Sequence, residues 1–272
     1  MKRLGILLVS IFMVGLLAAC SSPEQKAALE SFDTEKARIE AQVATLTEEM
    51  QTADELAKSE QKALDESLRA TLSEDINATR TIADGTDIPK AKTKAEEIDE
   101  QTAVLKTIDL TADLDKLKAS EKALSDSMKQ YQLVNQPSAE YVSKCMQRIG
   151  YIDNIAILTE ETDDTNNLGK AGWYTGKVVF HSTNVEHTGY DNGYTTLEAI
   201  GNPAGGCVEI FASEEDANRR NEELKGMEGT VRNPGAHQVI GTIVIRASQD
   251  QKTSTMEQQI VDMKTELTRL DA

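Results

Sequence analysis

Residues 205–226 read GGCVEIFASEEDANRRNEELKG, and their folding decides the carboxy-terminal half of the chain. Cys207 to Ala212 is a short apolar run rich in residues that favour pleated backbone, and it predicts a strand. Gly205-Gly206 before it suits a tight backbone turn. Ser213-Glu214-Glu215-Asp216 directly after it has the form of a capping box, so a helix should open there and end near Lys225-Gly226. A strand passing straight into a capped helix is the unit of a mixed α/β architecture, not of a helical array.

The neighbouring segments extend this pattern. Asn135-Gln136-Pro137-Ser138 marks a boundary, and Ser138 should cap a helix with Tyr141, Val142, Cys145, Met146 and Ile149 on one face. Strands are predicted over 152–159, about 173–182, and 237–247, the last interrupted by Gly241. One short helical turn is expected near 196–200. Ser254 and Glu257 form a second capping box, opening a final helix with Met256, Ile260, Met263, Leu267 and Leu270 in one stripe. The order α-β-β-β-α-β-α predicts an α+β domain over 138–272: a mostly antiparallel four-stranded sheet with helices on one face.

Upstream the composition changes. Between Phe32 and Tyr131 there is no aromatic residue, no cysteine and a single glycine, Gly85. Good helix formers dominate 24–134, and this region is expected to form a helical bundle or coiled-coil stalk. Ile39, Val43, Leu46, Met50, Ala53, Ala57 and Leu64 recur at three- and four-residue steps, and Leu68, Leu72 and Ile76 carry the stripe on. One long first helix should therefore run to the break at 83–89. Two shorter helices follow, one carrying Ala91 to Leu105 and one carrying Leu114 to Tyr131, with Asp109 or Thr111 as cap. Folding these two back along the first gives an antiparallel bundle; parallel self-association of the long helix is the alternative.

The amino terminus carries its own signal. Lys2-Arg3 precedes the apolar run Leu4 to Leu17, the length of a secretory core and too short for a spanning helix. Leu17-Ala18-Ala19-Cys20 resembles a bacterial lipobox, in which the cysteine is lipidated and becomes the first residue of the mature protein. That implies a signal peptide over 1–19, a lipidated tether over 20–23, and a protein lipid-anchored through Cys20 on the outer side of the cell membrane. The formal charge of -17 becomes -19 once Lys2 and Arg3 are removed (-17 - 2). So acidic a chain makes nucleic acid a poor partner and gives anionic headgroups nothing to hold, leaving the lipid to anchor it.

LGKAGWYTGKVVF (168–180), GGCVEIFASEEDANRRNEEL (205–224) and HQVIGTIVIRAS (237–248) together resemble the carboxy-terminal half of lipobox-bearing surface lipoproteins of Gram-positive bacteria, often described as EbhA-like. The resemblance implies placement on the cell surface and a similar fold, and no particular activity. Relatives often carry Asp-Asn-Asp-Pro-Asn-Gly before the first stretch. Here the loop reads Glu161-Thr162-Asp163-Asp164-Thr165-Asn166, which lacks the glycine and some oxygen ligands.

Several constellations are candidates for chemistry. Cys145 and Cys207 would form a disulfide if they met, or serve as buried apolar residues. Glu161, Asp163, Asp164 and Asn166 cluster oxygens as a Ca²⁺ loop does, without a bidentate Glu at its end. His181, Glu186 and His187 have no established zinc spacing. Trp173, Tyr174, Tyr190 and Tyr194 lie in or beside Gly- and Asn-rich loops, where aromatic side chains often make a contact surface. No catalytic set, resident metal or cofactor is expected, because neither a nucleophile elbow nor a phosphate loop is present. The pattern points to a binding or spacer module for an envelope or extracellular protein or glycan. The alternatives are an enzyme of unrecognised type in the head and a purely structural spacer.

Overall fold

The computed structural model describes residues 22–163, 165–185 and 193–271. The chain divides into two compact units, Met1–Thr52 with Ile76–Leu117, and Ala53–Asp75 with Lys118–Ala272. Helices α1 (Pro23–Ala57), α2 (Ser67–Gly85), α3 (Ala95–Lys106) and α4 (Thr111–Val134) make the amino-terminal half.

In the first unit, Ala28, Phe32 and Ile39 of α1 bury against Ile98 and Leu105 of α3, with Ile88 and Ala91 packed beside them. Gln25 Nε2 donates to the Thr93 carbonyl (2.7 Å), Arg38 Nη2 to that of Leu105 (3.0 Å), and Gln42 Nε2 to Asp109 Oδ1 (3.2 Å). These partners advance together, so α3 runs parallel to α1 and not back along it. Asp109 takes the expected capping role, its Oδ1 accepting from Thr111 N at 3.0 Å.

The first helix is also shorter than its stripe predicts. It stops at Ala57, and α2 begins at Ser67. Arg69 reaches back from α2 to donate to the carbonyls of Ala57 (3.1 Å), Ser59 (2.9 Å) and Gln61. One guanidinium thus serves carbonyls left open where α1 ends, and the break becomes affordable in hydrogen bonds. Within the second unit Leu64 N donates to Ser127 O (3.0 Å), Asp65 N to Ser127 Oγ (2.8 Å), and Ser120 Oγ to Asp75. As α2 advances its partners on α4 recede, so α2 is the helix that folds back.

The α+β part follows with α5 (Ala139–Met146), β1 (Ile152–Ile157), β2 (Gly176–Ser182), the single turn α6 (Leu197–Ile200), β3 (Gly205–Ile210), α7 (Glu214–Lys225), β4 (His237–Ile240), β5 (Ile243–Ala247) and α8 (Thr253–Leu267). Ser138, Thr196 and Ser213 cap α5, α6 and α7 by accepting from Tyr141, Ala199 and Asp216 N–H groups. The last helix opens earlier than Ser254, with Lys252 at its N-cap and no side-chain cap.

The sheet has five strands, not four, in the order β1-β2-β3-β5-β4 with every pair antiparallel. The run 237–247 is a hairpin: Gly241 at φ +57° and Thr242 turn the chain so that Ile240 faces Ile243. A Cβ at residue 241 would lie 2.7 Å from the Val134 carbonyl oxygen. That carbonyl accepts from Thr242 N (3.0 Å) and Thr242 Oγ1 (3.2 Å), so the hairpin tip closes the end of α4. Gly205-Gly206 is part of β3, not a turn. Gly206 faces Phe180 across the sheet, where a Cβ would meet the ring at 2.5 Å.

Helices cover both faces of this sheet, not one as expected. Val178, Phe180, Val208, Ile210, Ile243 and Ile245 pack with Val142, Cys145 and Met146 of α5 and Ile260, Met263 and Leu267 of α8. On the opposite face Val179 and Cys207 meet Leu197 and Ile200 of α6, while Phe211 and Val244 meet Tyr174 and Ala217 and Leu224 of α7. The strands are apolar at successive positions because both sides are buried.

Candidate functional site

The predicted aromatic surface is not assembled as one. Tyr174 is 2% exposed and lies edge-on to Phe211, with centroids 6.5 Å apart. Trp173 is half-buried against the same core, and only Tyr194, 51% exposed, faces solvent. Tyr190 lies outside the described residues, as do Cys20, Asp164, Glu186 and His187.

Asp163 organises the acidic loop. Its Oδ2 accepts from the N–H groups of Asn167 (2.7 Å) and Leu168 (2.8 Å), and its Oδ1 from Thr165 Oγ1 (2.8 Å) and Tyr174 Oη (2.7 Å). Burial opposes the charged form, and the four hydrogen bonds outweigh it, holding the carboxyl at about 2. With both oxygens occupied by the loop's own donors, Asp163 is not disposed toward a cation. Glu161 instead accepts from Thr159 Oγ1 (2.8 Å), and Asn166 takes a left-handed turn at φ +53°. His181 Nδ1 pairs with Asp153 Oδ1 at 2.6 Å. No group of three His, Cys, Asp or Glu able to hold a metal occurs among the described residues.

Cys145 and Cys207 are both free and buried. They belong to cores on opposite faces of the sheet, so the bridge allowed by the sequence is not made. Burial raises both thiols above their ordinary pKa, which makes them poor nucleophiles.

Between the sheet and α7 lies a buried charged layer. Glu209 of β3, fully buried, accepts from Arg220 Nε of α7 (2.8 Å) and Arg246 Nη1 of β5 (3.0 Å). Burial works against its charge, and the two guanidinium groups overcome that and hold its carboxyl far below the usual range. Lys177 stands directly across from Glu209 in β2, with its ammonium 5.2 Å from the centre of the Tyr174 ring. This layer fixes α7 on the sheet.

A concave surface of the second unit lies elsewhere, between α4 and the end of α8. Two hollows of about 600 and 500 Å³ share Asp126, Arg269 and Leu270 and so form one groove. Helix α8 is two-sided: Ile260, Met263 and Leu267 enter the core, while Val261, Lys264, Thr265 and Thr268 line the groove. From α4 come Lys122, Asp126, Lys129 and Leu133, a second stripe at helical spacing. The Tyr141 hydroxyl donates to the Leu267 carbonyl at 2.9 Å and pins the end of α8 against α5.

Val261, 54% exposed, with Leu133, Tyr141 and Leu270 gives the groove an apolar floor. Lys122, Lys129, Arg148, Lys264 and Arg269 surround it. Asp126 pairs with Lys122 and Lys129, Arg269 Nη1 donates to Glu266 (3.3 Å), and Arg148 reaches Glu266 and Asp271 only at 3.7 Å. With Asp65, whose charge acts on Lys264 from farther off, five cations face four carboxylates and leave a local surplus of one positive charge (5 - 4), in a chain whose net charge is -17. The sequence placed Tyr141 and Leu270 on apolar helix stripes and marked no other groove-lining residue. Val261 was the available signal, an apolar position off the core stripe of α8. The chain matches no family model, no curated protein and no solved structure at a significant level.

Proposed function

We propose that this chain is a binding module held on the outer side of the cell membrane by a lipid on Cys20, and that the α4–α8 groove is its contact surface. The lipobox-like Leu17-Ala18-Ala19-Cys20 and the resemblance of 168–248 to surface lipoproteins support the placement. The groove carries the binding role: it pairs exposed apolar side chains with unevenly balanced charge, the composition of a recognition surface. The partner is an envelope or extracellular macromolecule.

Photo-cross-linking in living cells tests this. A photoreactive residue at Val261 should give a discrete adduct, while one at Val104, exposed on α3, should not. Adducts at neither position, or the same ones at both, would remove the groove from the role. Labelling with an alkyne fatty acid should mark the wild-type chain and fail for Cys20→Ala, which should escape into the medium. Equal retention of both chains would remove the lipid anchor.

A further inference from the structure

From the groove's two chemistries we infer the class of its occupant: an acidic amphipathic polypeptide segment, one carrying carboxylates along one side and aliphatic side chains along the other. The inference rests on the groove being the contact surface. Charge argues for the acidic side. A chain at -17 repels acidic partners at long range, yet five cations converge here: Lys122 and Lys129 of α4, Lys264 of α8, Arg269 just past α8 and Arg148 just past α5. Lys264 has no carboxylate within ion-pair distance among the described residues, and Arg148 is held at 3.7 Å from each of its two. Arg148 and Arg269 are guanidinium forks, which suit carboxylates in two-point contact.

The floor argues for the aliphatic side. Val261, Leu133 and Leu270 would stay wet beneath a polyanion with no apolar groups, such as a phosphate polymer. A peptide that covers them gains affinity by removing that apolar surface from water. Carboxylates at the rim then set direction and register rather than most of the affinity.

The test is fluorescence anisotropy on the full chain in detergent, with a short labelled peptide of Glu and Leu in amphipathic order. Peptides with Gln or Lys in place of Glu, and inorganic polyphosphate as competitor, complete the set. The Glu peptide should bind, and Lys264→Glu and Arg269→Glu should each weaken it by about tenfold or more. Raising salt until the Debye length falls from about 10 to about 3 Å should weaken it too. The Lys peptide should bind the double charge-reversed chain better than the wild type, a gain that a merely unfolded variant cannot produce. Equal binding of the Glu, Gln and Lys peptides, or polyphosphate competing as strongly as the Glu peptide, would overturn the inference. If the Glu peptide fails while the Val261 adduct persists, the ligand class is wrong and the groove stands. If both fail, the groove itself is wrong.

Discussion

Glu209 is the side chain on which the α7 face depends. A buried carboxylate is tolerated because Arg220 and Arg246 neutralise it, and the converse is the sharper point: without it, Arg246 and nearby Lys177 lose their buried counter-charge and Arg220 keeps only Glu223, at 3.2 Å. Glu209→Gln should therefore cost about 3–5 kcal/mol, measured by denaturant unfolding; a loss below about 1 kcal/mol would mean the layer is solvated. Asp163 gives a pH signature. Its carboxyl sits at about 2 in the fold against 3.8 ordinarily, so its stabilisation, about 2 kcal/mol, is complete above pH ~4. It fades as pH falls from ~4 toward ~2. The stability gap between wild type and Asp163→Asn should be constant from neutral pH down to about 5 and close below 4. Little of this could be read from the chain. Glu209 and Asp163 are single acidic letters among forty-six Asp and Glu, and only the placement of Arg220 on α7 and Tyr174 after the loop separates them from solvated ones.

At the scale of elements, the sequence was legible where local chemistry decides. Ser138, Ser213 and Asp109 cap where the side-chain code places them, and Thr196 caps the short turn expected near 196–200. It was misleading where a long-range partner decides. The apolar stripe runs unbroken from Ile39 to Ile76, yet Arg69 makes a break at 58–66 tolerable by taking up the carbonyls there. Arg69→Ala should lower stability by about 1–3 kcal/mol through unsatisfied carbonyls, with helix content by circular dichroism nearly unchanged. A large gain in helix, as α1 and α2 fuse, would instead show that the break has another cause. The burial of both sheet faces was written in the strands. Lys177-Val178-Val179-Phe180 and Ile243-Val244-Ile245 do not alternate, which is the mark of strands covered on both sides. Gly241 was read as a flaw in one strand, although its left-handed backbone makes the hairpin that receives the end of α4. Gly241→Ala, with φ at +57° and a Cβ pressed on the Val134 carbonyl, should cost upwards of about 1–2 kcal/mol in thermal or denaturant unfolding. No loss would mean the tip moves away from α4 freely.

For the whole molecule, the acidic composition and the lipobox-like tetrapeptide support the proposed placement beyond the membrane, while the proposed recognition surface depends on packing. Of the aromatic residues that promised a surface, Tyr174 became core: its ring packs on Phe211 and its hydroxyl bonds to Asp163. The groove instead joins Lys122 and Lys129 to Lys264 and Arg269, more than a hundred residues along the chain, and no local pattern in either segment signals the other. The most direct measurement is amide hydrogen exchange on the full chain with and without the acidic Glu/Leu peptide. Protection should appear together over 122–133 and 261–270 and leave 193–200, beside Tyr194, unchanged. Protection confined to 193–200, or to one wall of the groove alone, would contradict binding between α4 and α8.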